Sequence, residues 1–391
     1  MVKPFLFAPL PKIIFQQGGL DELPALIKSF GNIVIFVTGK HSFIDSAKAG
    51  LLLQKLSTEG INYQTVTIQG EPSPDDIDRT VKRLSSEKFD CVVGIGGGSV
   101  LDAGKAISAM MYMPGSVIDF LESVGTKDHP GTKLPYIAVP TTSGTGSEAT
   151  KNAVISKVGE GGFKRSLRHD NFVPDIALVD PELTLDCPAE ITAASGMDCF
   201  TQLMEAYLSD KSNMYTDALA FEGLKEIKSS LVRSFKDGHD IEARSGMSFA
   251  ALTSGICLAN AGLGVVHGFA SSIGGRYNIP HGVICGTLMC VTNEVTIKKL
   301  RKTSPSSPAL KKYAVMGELF TDTRGKSMDY LIDTFMDYLH KLTEELHLPG
   351  LMAAGVMEDD IKGIAEMTES KNNPVKLDID DLIEILKKSF H

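Results

Sequence analysis

Tryptophan is absent from the 391 residues, and that absence excludes nothing. Other absences are more useful. No apolar run reaches the roughly 18 residues that a membrane span needs, so no span is expected. No basic block occurs. Lys and Arg total 39 against 48 Asp and Glu, for a net charge of −9, which argues against a nucleic-acid or anionic-membrane surface. The six cysteines, at 91, 187, 199, 257, 285 and 290, include no CxxC pair. Most sit in apolar contexts, as reduced thiols of a cytoplasmic protein would. No secretory leader is expected, because prolines break the opening residues and the chain runs straight into Lys12-Ile-Ile-Phe15, a plausible strand. Internal repeats and low-complexity linkers are also missing.

What is present is a compact, folded composition, 43% apolar and 22% charged, in a chain long enough for two domains. In the first half, short β-branched runs alternate with helical stretches. The strands are expected at 32–38, 63–68, 89–95, 135–140 and 175–180, and helices at 46–59, from Ser73-Pro74 to about 86, and at 102–113. Ser73 and Pro74 form a good N-cap and first-turn pair. Such alternation implies a doubly wound α/β sheet with right-handed crossovers. After Asp180 the strand-like runs vanish. Helical periods occupy 190–209, 215–234, 239–261, 306–319, 326–346, 356–369 and 379–389, with residues 301–308 as a surface loop. The expected division is an α/β domain at 1–181 and an all-helical domain at 182–391.

Three stretches carry chemistry. Gly94-Ile-Gly96-Gly97-Gly98-Ser99 follows a strand and opens a helix, where glycines let a ligand approach the backbone and the helix N-terminus favours a pyrophosphate. Ser99 stands where G-x-G-x-x-G would have its third glycine. Lys105 comes too late for a Walker lysine. A tight structural turn would also explain the glycines, but their place between strand and helix makes dinucleotide binding the better reading. The second stretch, Pro140-Thr141-Thr142-Ser143-Gly144-Thr145-Gly146-Ser147-Glu148, crowds hydroxyls at the end of another strand, where α/β sheets bind ligands. A flexible surface loop is the bland alternative. The third runs from Gly262 through His267 and Ser271 to His281-Gly282, with Gly196-Met-Asp198 upstream at the start of a helix. One carboxylate and two imidazoles from separate elements make a divalent-metal site with room for a substrate oxygen. Taken alone, the two histidines read as ordinary loop or core residues.

These motifs together, from Phe7-Ala-Pro to His281-Gly282, resemble the iron-containing (group III) alcohol dehydrogenases over nearly the whole chain. The resemblance implies a dehydroquinate synthase-like architecture: an N-terminal dinucleotide-binding domain, a helical metal-binding domain and catalysis in the cleft between. It implies that Gly97, Gly98 and Ser99 hold the pyrophosphate. Asp102, Thr141, Thr142, Thr145 and Ser147 would lie along the cofactor, and Lys164 would approach it. His267, His281, Asp102 and Lys164 are the expected catalytic set. The family's metal ligands are an Asp and three His. Asp198, His267 and His281 match three of them, but Gln202 occupies the fourth position, one helical turn after Asp198. An amide oxygen is a weaker ligand than imidazole. Ser271 stands where many members carry a histidine thought to relay a proton. Three protein ligands still suffice for a catalytic zinc, so iron or zinc is expected. Two alternatives stay open, namely a metal-independent reductase resembling maleylacetate reductases and a non-redox lyase of the dehydroquinate synthase lineage.

The end of the first helix-flanked strand, Thr38-Gly39-Lys40-His41-Ser42, has no carboxylate to repel a ribose 2′-phosphate, and Lys40 and Ser42 offer partners for one. NADP is therefore expected over NAD. The expected reaction is hydride transfer between the nicotinamide and a small alcohol or its aldehyde or ketone, in a homodimer or larger homo-oligomer.

Overall fold

The computed structural model describes residues 4–391. Six strands form one parallel sheet: β1 (Lys12–Phe15), β2 (Ile33–Gly39), β3 (Asn62–Ile68), β4 (Cys91–Gly96), β5 (Tyr136–Pro140) and, after two intervening strands, β8 (Ile176–Val179). Their order is β1-β8-β5-β4-β2-β3. β4 and β5 are buried along their whole length, as expected of parallel strands covered on both faces. Helices α1 (Leu23–Lys28), α2 (Ala47–Thr58), α3 (Pro74–Leu84) and α4 (Gly98–Met110) supply the cover. Ser73 caps α3 in a reciprocal box with Asp76. From β2 the chain moves outward to β3 and then returns to place β4 on the other side of β2. The strand order therefore reverses between β2 and β4, and the crevice at their carboxyl ends is where a doubly wound sheet binds its ligand.

Two strands depart from the expected alternation. β6 (Asn152–Lys157) and β7 (Phe163–Arg168) form an antiparallel hairpin outside the main sheet. Its Ala153, Ile155 and Leu167 pack into the core around α4.

Beyond Pro181 the chain is helical: α5 (Ala189–Leu208), α6 (Met214–Lys236), α7 (Ile241–Ala261), α8 (Val265–Arg276), α9 (His281–Thr303), α10 (Pro308–Thr321), α11 (Met328–Glu345), α12 (Ile361–Met367) and α13 (Ile379–Lys388). α5 is the axis of this half. Every residue from Gly196 to Leu208 is buried. α8 and α9 correct the sequence reading, which saw no helix between 262 and 305. Both are buried on most sides, so they carry no polar face and no amphipathic period. Pro280 sits at the N-cap of α9, and Gly262, with φ of 69°, ends α7 and begins a 98° bend into α8. The loop expected at 301–308 shrinks because α9 runs to Thr303 and α10 starts at Pro308. Within 356–369, only 361–367 is α-helix. Among the described residues no single helix is long and apolar enough to cross a membrane.

The two halves meet through backbone. Gly146, held at φ of 62°, lies against Gly255 of α7, so a Cβ on Gly255 would stand 2.1 Å from the Gly146 carbonyl oxygen. Ser143 and Ser248 join their hydroxyls across the same seam at 3.2 Å. A Gly255→Ala change has no flexible neighbour to displace, only backbone. We expect it to cost about 2 kcal/mol or more in a denaturant melt, in line with overpacked cores, and to weaken nucleotide binding by parting the cleft walls.

Candidate active site

A cleft of about 1370 Å³ runs between the sheet and the helical half. Gly98, Ser99, Asp102, Thr145 and Ser147 line one wall, Lys164 stands on the β7 side, and Gln202, His267, Ser271 and His281 line the other.

The glycine loop is shaped by contacts as well as by φ. Cβ atoms on Gly96 and Gly98 would fall 2.6 Å from Val100 and 2.7 Å from Thr145. Close packing against the hydroxyl loop is what these glycines permit. No side chain caps α4, so the first N–H groups of the helix have no side-chain partner, a site suited to an anion. Thr141 is buried, and Thr142 lies within 3.3 Å of the space beside Gly97, so both belong to the same junction although neither lines the cleft. Gly39, Lys40 and Ser42 lie outside the cleft at the end of β2. Gly39 is beside Val100 of α4, and Lys40 and Ser42 are exposed.

Asp102 is tied down. It accepts hydrogen bonds from the Ser147 hydroxyl and from Val154 N at 3.0 Å, which fastens α4 to the loop and the hairpin. Burial raises its pKa, against the pull of Lys105. Lys105 is buried and donates to Ser147 O, Thr150 Oγ1 and Asn152 O, so it braces the loop rather than facing the cleft. Lys164 pairs with Glu71 at 2.8 Å.

The opposite wall holds the acid–imidazole cluster. On α5, Asp198, Gln202 and Glu205 fall on one helical stripe, at spacings of about one and two turns. His267 comes from the first turn of α8, and His281 is the first residue of α9. His267 Nε2 is 3.2 Å from Asp198 Oδ1, and its Nδ1 is 2.6 Å from Glu205 Oε2. Glu205 also accepts from Val266 N at 2.7 Å. His281 Nε2 is 3.6 Å from the same Asp198 oxygen, and His281 Nδ1 is buried without a hydrogen-bond partner among the described residues. Cys285, one turn along α9 from His281, completes a group whose ligand atoms all lie within 4.8 Å of one another.

Burial opposes the charge on Asp198, yet the two imidazoles, His281 and His267, hold its carboxyl low, at about 2. Burial also favours a neutral His267, but Cys285, Glu205 and Asp198 outweigh it and raise its pKa. His281 goes the other way, lowered to about 4 by burial and by Lys164. A neutral imidazole held near a carboxylate with no good partner of its own is what a divalent cation would use, so the donor set fits one.

Gln202 is not arranged as a ligand. Its amide nitrogen is 3.4 Å from Asp198 Oδ2, and its oxygen accepts from Ser254 at 3.3 Å. Ser271 bonds the His267 carbonyl one turn back, at 2.9 Å, and brings no titratable group. Sequence reasoning missed Glu71, Glu205, Cys285 and Lys371, whose Nζ donates to the His267 carbonyl at 3.0 Å. Glu205 and Cys285 had a signal, helical spacing from Asp198 and from His281. Glu71 and Lys371 come from loops and had none.

Residues 10–181 match the family described as iron-containing alcohol dehydrogenase, and residues 192–390 match the C-terminal domain of the Fe-containing alcohol dehydrogenase family. The chain belongs to the iron-containing alcohol dehydrogenase family. It is similar to alcohol dehydrogenase 4 of Saccharomyces cerevisiae, at 31% identity over 97% of each chain. It is also similar to an NAD-dependent methanol dehydrogenase of Bacillus methanolicus, at 31% identity over 97% of this chain and 98% of that one. A crystal structure of 1,3-propanediol oxidoreductase superposes with a TM-score of 0.88 at 27% identity, covering 99% of this chain and 100% of that one. The enzyme is thus an oxidoreductase acting on CH–OH groups with a nicotinamide cofactor and a divalent metal, built on an α/β domain and a helical domain. The lyase alternative has no counterpart among these relatives.

In this dehydrogenase the hydroxyl loop ends on Glu148, a fully enclosed carboxyl whose pKa burial raises to about 7, with Lys105 as its nearest cation. The unfolded carboxyl ionises near 4.5, so between pH 4.5 and 7 the native state binds more protons and stability falls as pH rises. The shift corresponds to about 3 kcal/mol. Glu148→Gln should melt higher than the parent at pH 8 and match it near pH 4.5. Equal melting temperatures at both values would mean that the carboxyl is stabilised by partners other than Lys105.

Proposed function

We propose that residues 1–181 form the cofactor domain and residues 182–391 the metal and substrate domain of an NADP-preferring alcohol dehydrogenase, which also runs as an aldehyde or ketone reductase. The observation that supports it most directly is the cluster of Asp198, His267 and His281 across one cleft from the uncapped start of α4. When bound, the nicotinamide exchanges a hydride with the carbinol carbon while the divalent metal acts as Lewis acid on the substrate oxygen. Asp198, His267 and His281 would hold that metal. Glu205 fixes His267 through Nδ1, so that Nε2 faces the site, as an outer carboxylate does for a ligating histidine. Gly97, Gly98 and Ser99 bind the pyrophosphate by backbone N–H. Thr145, Ser147 and Lys164 lie along the rest of the cofactor, with Thr141 and Thr142 supporting the loop. Asp102 acts by positioning Ser147 and β6. The six free cysteines among the described residues suit the cytoplasm, and the exposed apolar edge of Phe5, Leu6, Leu10, Ile13 and Phe15 suits a homodimer.

Elemental analysis of the purified protein, together with cofactor absorbance against a panel of alcohols and aldehydes, tests this reading. His267→Ala should lose bound metal and lower kcat at least about a hundredfold. Full activity after verified removal of metal would instead identify a metal-independent reductase.

The cofactor preference rests on the end of β2, where Gly39 lies beside Ser42 and Val100 of α4, Lys40 and Ser42 are exposed, and the run Thr38-Gly39-Lys40-His41-Ser42 contains no carboxylate. Steady-state kcat/KM should favour NADP(H). Lys40→Ala should lower it about tenfold for NADP(H), as expected for one charge-assisted bond, and leave NAD(H) unchanged. A large preference for NAD(H) in the parent enzyme would overturn the assignment.

A further inference from the structure

Gln202 leaves the metal proposed above one ligand short of the family's four, and the chain offers a different atom in its place. Both ends of the Gln202 amide are engaged, by Asp198 and by Ser254, so its oxygen does not turn toward the imidazoles. Cys285 Sγ lies 3.8 Å from His267 Nε2 and 3.8 Å from His281 Nε2. It is buried and forms no disulfide. We propose that Cys285 is a ligand of the divalent metal, its thiolate filling the coordination position that Gln202 vacates. The proposal rests on the metal reading of the previous section.

The distances carry the argument. Bonds of about 2.0–2.1 Å from nitrogen or oxygen and about 2.3 Å from sulfur, at tetrahedral angles, set neighbouring donor atoms about 3.3–3.6 Å apart. The edges here are 3.2 Å from Asp198 to His267, 3.6 Å from Asp198 to His281 and 3.8 Å from Cys285 to each imidazole. Contraction by a few tenths of an ångström on the sulfur side brings all four donors to bonding distance, and the substrate oxygen then adds as a fifth donor, an expansion that catalytic zinc tolerates. Helix geometry supplies the rest: His281 and Cys285 are four residues apart on α9, so one rigid element presents both.

Charge gives an independent reason. One carboxylate and one thiolate neutralise a divalent ion in a buried site, where an uncompensated charge is costly. Asp198 with a neutral amide would leave a residual positive charge. On loading, Cys285 gives its thiol proton and His267 its Nε2 proton to solvent, and the freed sulfur and nitrogen lone pairs go to the metal. A thiolate is a soft ligand, so the set Asp198, His267, His281 and Cys285 prefers zinc or cobalt to the iron for which the family is named.

The test is X-ray absorption on the zinc-loaded full-length protein, with the cobalt-loaded form examined for a sulfur-to-cobalt charge-transfer band. The expected result is one sulfur scatterer at about 2.3 Å and a visible charge-transfer band. In Cys285→Ser both should disappear while metal still binds through nitrogen and oxygen, with zinc affinity lowered at least about tenfold. A wild-type spectrum with only nitrogen and oxygen neighbours overturns the role of Cys285 and leaves the metal reading intact. Failure of the wild-type protein to bind zinc, cobalt or iron overturns both. If Cys285→Ser does not fold, the wild-type spectra decide alone.

Discussion

Asp198 keeps its charge in the middle of a helix that has no wet face. A carboxylate enclosed in this way is tolerated only when cations or strong donors surround it. Here the donors are imidazoles delivered by two other helices, α8 and α9. Much of the helical half follows from that requirement. α7 must stop at Gly262 and turn by 98° so that α8 can present His267, and Pro280 must start α9 where His281 reaches the same oxygen. Glu205, a second buried acid on α5, then holds His267 from behind. Loss of Asp198 would leave two imidazoles facing each other across an empty polar space.

The sheet half is organised by a different constraint, the reversal of strand order between β2 and β4. That reversal opens a crevice without any side chain having to be removed. The chain fills its rim with glycines and small hydroxyls, and locks the rim from beneath with Lys105 and Asp102. Lys105 and Asp102 clamp the rim through these bonds, and Asp102, Thr145 and Ser147 also line the cleft. The hairpin β6–β7 closes the side, bringing Lys164 and its partner Glu71 toward His281.

The parts of this arrangement that could be read in the sequence are those with a local signature. The strands of the sheet announced themselves as β-branched runs, and Ser73-Pro74 as a helix start. His267 and His281 read alone as ordinary residues, and it was the resemblance to a family that implied their partnership with Asp198. α8 and α9 were not legible, because helices buried on most sides show no clear period. The roles of Asp102 and Lys105 were not legible either, since each depends on hydrogen bonds to residues more than 40 positions away. Cys285 was read as one apolar cysteine among six. Only the folded position of α9 puts its sulfur beside two imidazoles.

The seam between Gly146 and Gly255 has a consequence for how this enzyme can change over evolutionary time. Two backbones in direct contact set a fixed gauge between the nucleotide wall and the metal wall. No substitution on either side can narrow it, and any side chain added there widens it for every substrate at once. The spacing of the two cleft walls is thus held constant at this seam, while residues away from it are free to vary. Substrate range in such a chain drifts through the cleft's outer walls, with the spacing at the seam left untouched.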